Sequence, residues 1–179
     1  MTTYIALPRG INLAGNKKVA MSDLRQLLAR LGFGNPRSIL NSGNLLFEAP
    51  TRAPAKLEQL LEAECAKRLL LTTAFHVRTA AELDATIAKN PLPKEARSDP
   101  SHLLVVFYKE APAPSGLKAL EAARTGPELV RLKGREAFIY YPDGMARPQL
   151  TPALLDRHLG RGTGRNWNTV QKLAALAGA

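Results

Sequence analysis

The sequence predicts an α+β protein in which one βαββαβ plan occurs twice. Three observations lead to this fold class. Short apolar or alternating segments, which are typical of strands, alternate with segments whose leucines recur at helical spacing. Turn signals join neighbouring strands directly, as in antiparallel sheets. The element order of residues 1–90 returns in residues 102–179, after a proline-rich linker at 91–101, so we expect two subdomains.

The first half is predicted to run strand, helix, hairpin, helix, strand. Ser22 is a candidate N-cap for the first helix, and Gly32 ends it. Residues 41–44 predict a hairpin turn because the Ser-Gly and Gly-Asn pairs tolerate a positive φ. Pro54 opens the second helix, whose apolar stripe consists of Leu57, Leu60, Leu61, Cys65 and Leu69. The predicted strands are residues 4–8, 37–40, 45–48 and 74–78.

The second half repeats the plan after a short predicted helix around Leu83 and Ile87. Gly134 marks the turn of its middle hairpin. Asn168 and Gln171 resemble a capping box for the last helix. The predicted strands are residues 102–109, 128–133, 137–141 and 163–167, and the predicted helices are 115–124, 150–159 and 169–177.

The composition is that of a globular protein. Apolar residues make up 45% of the sequence and charged residues 22%, which is ordinary for a chain with a packed core. No run of about 18 apolar residues is present, so we expect no membrane span. The first residues lack the pattern of a secretory signal. The single cysteine, Cys65, excludes an intrachain disulfide and is compatible with a reducing compartment, so we expect a cytoplasmic protein. The sequence does not determine the oligomeric state.

The net charge is the unusual bulk property. Lys and Arg total 25 against 15 Asp and Glu, which gives +10 at pH 7. No acidic residue follows Asp156, whereas Arg157, Arg161, Arg165 and Lys172 do. A positive field attracts polyanions and anionic metabolites, although the same charge can also serve only to keep a protein soluble.

Three polar, irregular segments are the strongest candidates for a ligand site: residues 9–18, 41–44 and 161–169. Together they combine glycine, Asn, Ser or Thr, and cations. Glycine lets backbone amides approach a ligand, Asn and Thr give directional hydrogen bonds, and Arg gives a two-pronged contact to an anion. We predict that at least two segments form one anion site; the alternative is that they only build turns. The predicted ligand-binding residues are Arg9, Asn12, Asn16, Lys17, Asn41, Ser42, Asn44, Arg165, Asn166 and Trp167.

Signals for nucleotide binding and nucleophilic catalysis are weak. Residues 160–164 lack the Gly-Lys-Ser or Gly-Lys-Thr ending of a phosphate loop, and no cofactor is predicted. Cys65 lies in an apolar helical stripe, so we expect a buried small hydrophobe rather than a nucleophile. Glu58, Glu62 and Glu64 are expected on the solvent face of the same helix.

The histidines do not predict a metal site. His76, His102 and His158 are scattered along the chain, and no two show the spacing of metal ligands. Isolated histidines of this kind are usually structural or solvated. No catalytic residue is therefore assigned from the sequence.

One strand has a partial likeness to an RNA-binding signature. The RNA-recognition motif places a Lys/Arg-Gly…Ala-Phe-Val-x-Tyr segment on its third strand, and residues 133–141 read KGREAFIYY. Here Arg135 and Glu136 stand in place of the aromatic residue that would stack a base. The favoured interpretation is a hairpin strand with alternating core and surface aromatics. Nucleic-acid binding by charge and shape stays open.

Three motifs together resemble a bacterial family known as domain of unknown function 1697. They read YIALPRGINLAGNK at 4–17, NSGNLLF at 41–47 and TGRNWNTVQKL at 163–173. The resemblance implies two ferredoxin-like subdomains and implies no catalytic residues. The chain departs from the usual family pattern at residues 146–149. The family usually has a small residue followed by Arg-Ser-Lys, whereas this chain has Ala-Arg-Pro-Gln.

These observations leave three functions open. The first is a basic anion-binding module, for RNA or another nucleic acid. The second is an enzyme acting on a small phosphorylated or carboxylated metabolite, held by the same loops. The third is a protein-interaction scaffold that pairs through an exposed sheet edge. The sequence alone does not choose among them.

Overall fold

The computed structural model describes residues 1–13, 17–41 and 43–179. The chain divides into two compact units. The first consists of Met1–Asp84 with Leu173–Ala179, and the second of Ala85–Lys172. Each unit has one four-stranded antiparallel sheet with helices, so the predicted α+β class and the tandem ferredoxin-like plan are confirmed.

The first unit contains β1 (Thr2–Pro8), α1 (Met21–Arg30), β2 (Gly34–Ile39), β3 (Asn44–Ala49), α2 (Pro54–Leu69) and β4 (Phe75–Thr79). The strand order is β2-β3-β1-β4, so β1 lies between two antiparallel neighbours. Side chains of β1 on both faces of the sheet are fully buried, for example Tyr4 and Ile5. This burial explains why β1 is an unbroken apolar run rather than an alternating one.

After α3 (Ala80–Ala88), the chain continues through α4 (Pro93–Ser98), a 3-10 turn (Pro100–His102), β5 (Leu103–Phe107), α5 (Pro114–Ala123), β6 (Leu129–Lys133), β7 (Glu136–Tyr140), α6 (Pro152–Leu159), β8 (Thr163–Asn166) and α7 (Trp167–Ala177). The second sheet has the order β6-β7-β5-β8, which repeats the first sheet position by position. The predicted linker, 91–101, contains α4. Pro93 fits its first turn because the N–H that proline lacks would have no partner within the helix there.

Two predicted helix caps are wrong. α1 begins at Met21, and Ala20 occupies its N-cap without a side-chain hydrogen bond, so Ser22 lies inside the first turn. α7 begins at Trp167, where Asn166 Oδ1 accepts a hydrogen bond from the Asn168 N–H at 3.0 Å. Asn166 is therefore the cap, because it ends β8 in the extended conformation that a capping residue adopts.

The core of the first unit lies between its sheet and the two helices α1 and α2. Leu24 of α1 and Leu61 of α2 are almost completely buried there. Phe47 stacks on both Phe33 and Tyr4, with ring centroids 4.8 and 5.8 Å apart. The leucine spacing read from the sequence therefore identifies the inward faces of both helices correctly.

The core of the second unit lies between its sheet and the helices α5 and α6. Leu120 of α5 packs there with Val130 and Ile139 of the sheet. The two helices approach so closely that a Cβ on Gly116 would lie 2.2 Å from the carbonyl oxygen of His158. Glycine is therefore required at this crossing.

Three glutamates close the β4 edge of the first sheet. The backbone N–H groups of Phe75, Val77 and Thr79 point away from β1, and each donates to a carboxylate. The acceptors are Glu62 Oε1 at 2.8 Å, Glu58 Oε1 at 2.9 Å and Glu82 Oε2 at 2.8 Å, respectively. The expectation that Glu58 and Glu62 face solvent is wrong: Glu58 is only 3% exposed. Both lie beside the apolar stripe of α2, where a long side chain reaches the strand.

We expect replacement of Glu58 by alanine to destabilise the first unit by about 1–3 kcal/mol, because the buried Val77 N–H loses its acceptor. Urea denaturation followed by circular dichroism measures the change. Glu64→Ala, on the same helix, is the matched control. Glu64 forms a surface ion pair with Arg68, so its removal should cost much less. Equal losses in the two variants would contradict the assigned role of Glu58.

Candidate anion-binding site

One asparagine closes the loop that follows β1. Asn12 has a positive φ of 52°, a conformation that asparagine tolerates better than most residues. Its Oδ1 accepts the Val19 N–H at 2.8 Å, and its Nδ2 donates to the Val19 carbonyl at 2.9 Å. Its own N–H donates to the Lys17 carbonyl at 3.2 Å. The two ends of the loop are therefore held together by a single side chain and its backbone.

Asn12 also joins this loop to the β2–β3 hairpin. Its Nδ2 donates to the Asn41 carbonyl at 2.9 Å. Gly43, with φ 87°, packs so tightly on the loop that a Cβ there would lie 2.3 Å from Ile11 Cδ1 and 2.8 Å from Pro8 Cγ. Two of the three predicted segments, 9–18 and 41–44, are therefore brought together in the first unit.

An open depression of about 560 Å³ lies between these two segments and the start of α1. Its lining residues are Asn12, Lys18, Val19, Ala20, Met21 and Asn41. Lys18 lines the depression and Lys17 precedes it in the chain, and both side chains are exposed. The first backbone N–H groups of α1 have no side-chain cap at Ala20, and the N-terminal end of a helix carries partial positive charge. Asp23, in the first turn, adds a negative charge nearby.

Other predicted residues of the first unit hold the loops in place. Arg9 is half-buried, and its backbone bonds to the Ala74 carbonyl and to the Thr73 hydroxyl. Asn44 is fully buried, and its Nδ2 donates to the Ile39 carbonyl at 2.8 Å, inside the hairpin. The predicted residues Asn16 and Ser42 lie outside the described residues.

The third segment, 161–169, belongs to the second unit, where Arg165 and Trp167 are buried and Asn166 is half-buried. Arg165 Nη1 donates to Thr163 Oγ1 and to the Gly164 carbonyl, and burial lowers the pKa of Arg165 to about 10. Asn166 Nδ2 donates to the Ser101 carbonyl at 2.7 Å. Trp167 is 4% exposed and packs against Phe138, with ring centroids 6.4 Å apart. Their convergence with the loops of the first unit stays a prediction.

The strand that partly matches the RNA-recognition signature is β7. It pairs with β6 in a hairpin closed by Gly134, whose φ is 58°. Phe138 is fully buried and Tyr141 is 4% exposed. The hairpin interpretation is therefore confirmed, and these aromatic rings do not form a surface on which bases could stack.

A polar cluster in the second unit was missed from the sequence. Asp99 Oδ2 lies 2.8 Å from His102 Nδ1 and accepts the Tyr140 hydroxyl at 2.9 Å. Burial raises the pKa of Asp99, but the bonds from Tyr140 and His102 outweigh it, so the net shift is downward. The hydrogen bond to Asp99 raises the pKa of Tyr140. The spacing of Asp99 and His102, three residues apart, was a visible signal, whereas Tyr140 comes close only through the fold.

No group of three or more His, Cys, Asp or Glu side chains in the part of the chain that the structure describes is arranged to hold a metal ion. No helix there combines the length and the apolar character needed to cross a bilayer.

Comparison with known proteins identifies the family. A family model described as "Protein of unknown function (DUF1697)" matches residues 1–138. The chain belongs to this family. The DUF1697 match includes the motifs at 4–17 and 41–47, whereas the motif at 163–173 lies beyond it. The resemblance predicted from the three motifs is therefore confirmed.

A solved structure supports the fold of this DUF1697 member. The conserved bacterial protein SP0830 from Streptococcus pneumoniae aligns with a TM-score of 0.73 and 23% identity, over 98% of each chain. At this identity the likeness speaks for the fold alone. No curated protein matches the chain.

We expect Asn12→Gly to loosen the loop without straining its backbone, because glycine keeps the positive φ and loses only the side-chain bonds. The Val19 amide should then exchange with deuterium faster than in the parent protein. Asn35→Gly is the matched control, since Asn35 also has a positive φ but bonds to Glu48. Unchanged exchange at Val19 in Asn12→Gly would contradict the role given to Asn12.

We expect Cys65 to be unreactive in the folded protein. It is fully buried, and burial raises the pKa of its thiol from 9.0 to about 12. The folded chain therefore keeps the thiol proton at a pH where the unfolded chain releases it. This contribution to stability is complete below pH 9 and falls as the pH rises towards 12. At pH 8, dithiobis(nitrobenzoate) should label Cys65 rapidly only after denaturant is added; rapid labelling without denaturant would contradict its burial.

Proposed function

We propose that this chain is a basic anion-binding module whose ligand occupies the depression at the start of α1. One observation carries the proposal: Asn12 holds two Gly- and Asn-containing loops against each other, and the exposed Lys18 lines the depression that they form, with the exposed Lys17 next to it in the chain. Ammonium groups and the N–H groups of a helix start are both donors that phosphate oxygens accept.

The charge distribution supports an anionic ligand. Residues 1–50 contain six basic and two acidic side chains, within a chain of net charge +10. Such a field raises the rate at which anions encounter the surface. Each phosphate neutralised by a lysine also releases condensed counterions, which makes the binding of a polyanion strongly salt-dependent.

RNA or another single-stranded nucleic acid is the ligand class that we favour. Exposed lysines contact the phosphate backbone and carry no sequence information. The buried aromatics Phe138, Tyr141 and Trp167 are not arranged as a stacking platform. The proposal is therefore binding through backbone charge and shape, with little sequence preference, in the cytoplasm.

A small phosphorylated or carboxylated metabolite is the second candidate, and an enzyme acting on it would use the same depression. The observation that favours it is the volume of about 560 Å³, within the roughly 300–1,000 Å³ of small-molecule pockets. Among the described residues, those that line the depression include no histidine or carboxylate that could serve as a general base.

Replacement of both Lys17 and Lys18 by alanine should weaken binding of a fluorescein-labelled oligouridylate by roughly tenfold at moderate salt, because two phosphate contacts are lost. The slope of log affinity against log salt should fall by about 1.4, at about 0.7 per contact for a single strand. Fluorescence anisotropy measures both quantities. Trp167 is unsuited as a reporter because it is buried in the second unit.

The matched control is Lys56→Ala with Lys67→Ala. Both lysines are exposed on α2, and the pair changes the net charge by the same amount. Equal weakening in the two double variants would show that net charge alone binds RNA and would overturn the assigned site. Asp23→Asn, which removes the acidic side chain from the first turn of α1, should strengthen binding. Stabilisation of the parent protein by a phosphorylated metabolite but not by RNA would favour the second candidate.

A further inference from the structure

The edges of the two sheets differ in how their backbone groups are satisfied. On the β4 edge, three glutamate carboxylates accept the outward N–H groups, so no further strand can pair there. On the β2 edge, a register shift lies between Gly34 and Arg37, and Pro36 lacks an N–H. Arg37 Nη2 also donates to the Leu176 carbonyl. Both edges of the first sheet are therefore protected against strand addition.

The β6 edge of the second sheet lacks these devices. Its five residues, Leu129–Lys133, pair with β7 in unbroken register and contain no proline. Because Lys133 and Glu136 flank a two-residue turn, Arg131 and Lys133 bond to β7, whereas the N–H groups of Val130 and Leu132 point away from it. In the part of the chain that the structure describes, no hydrogen-bond acceptor for these two N–H groups is found. The Val130 carbonyl accepts the Arg131 side chain at 2.9 Å and Val130 is only 1% exposed, so a partner strand has to displace this side chain to reach the Val130 N–H.

The side chains of β6 specify the charge of a partner. Arg131 and Lys133 are exposed and lie on one face of the strand, and Val130 and Leu132 lie on the other. Antiparallel pairing of β6 with a second copy about its centre would place Arg131 opposite Arg131, and like charges in that position destabilise a pair. The net charge of +10 opposes self-association further.

We propose that the β6 edge binds an extended, acidic segment of another protein by strand addition. Its backbone carbonyls would accept the N–H groups of Val130 and Leu132. Acidic side chains at every second position would lie beside Arg131 and Lys133, and apolar side chains would alternate with them. This surface is independent of the anion site in the first unit.

The test uses a short blocked peptide that alternates glutamate and valine, titrated into the full-length protein. We expect the Val130 and Leu132 amides to shift in NMR spectra and to exchange more slowly with deuterium. Arg131→Glu with Lys133→Glu should weaken this binding by roughly tenfold, since two favourable cross-strand pairs become unfavourable. The same variant should instead bind a peptide that alternates lysine and valine.

Controls separate strand addition from attraction by charge. Lys56→Glu with Lys67→Glu makes the same charge change on α2 and should leave peptide binding nearly unchanged. Lys17→Ala with Lys18→Ala should also leave peptide binding unchanged. The strand-addition proposal and the anion-site proposal can therefore fail independently of each other. A peptide with the same composition but its glutamates and valines in separate blocks should bind much more weakly.

Leu132→Pro provides a second test. It removes an outward N–H but none of the β6–β7 bonds, and a thermal melt would check that the variant is folded. We expect it to abolish peptide binding. The proposal is overturned by the absence of binding at millimolar peptide, by equal binding of the block peptide, or by a β6-dependent dimer in sedimentation.

Discussion

The arrangement of the first unit depends on three hydrogen bonds in which backbone N–H groups on the outer edge of β4 donate to glutamate carboxylates. Glu58 and Glu62 lie one turn apart on α2, so they fix both the height and the rotation of that helix against the strand. Pro8 lies opposite Phe75, and the Arg9 N–H donates to the Ala74 carbonyl. The candidate anion site begins at the end of β1. This end is held by β4, and the outer edge of β4 is in turn held by α2.

The fold could be predicted from the sequence because its signals are local and repeated. The leucines of α1 and α2 recur at helical spacing, and turn residues separate the strands of each hairpin. The function of Glu58 could not be predicted in this way. Its carboxylate binds the N–H of Val77, a residue 19 positions later, and no period in the sequence connects them. A glutamate beside an apolar stripe is usually solvated, and only the packing of α2 on an edge strand makes it a structural acceptor.

The candidate site could be predicted only in part, because the residues that bind ligands are also those that build turns. The side chain of Asn12 is hydrogen-bonded to Val19 and Asn41. It therefore shapes the depression and is not a free donor for a ligand. Asn44 is used inside the hairpin. The sequence singles out Arg165 because acids are absent after Asp156, yet its guanidinium is turned towards Thr163 in the interior. Composition therefore identified the loops, and only the structure separates framework residues from exposed ones such as Lys17.

The positive character of the surface follows partly from where the acids are placed. Besides the three glutamates of α2 and α3 that accept N–H groups of β4, Glu128 accepts the N–H groups of Gln149 and Leu150 through its Oε1, and it is buried, as Glu58 is. These hydrogen bonds leave the negative charge of the carboxylates in place, but Glu58 and Glu128 hold it below the surface. Most of the basic residues, in contrast, are exposed, so they act on any molecule that approaches the protein. Examples are Lys17 and Lys18 in the first unit and Arg131 and Lys133 on β6. The net charge of +10 is therefore carried mainly by exposed lysines and arginines, which favours anionic ligands and acidic partners over a second copy of the chain.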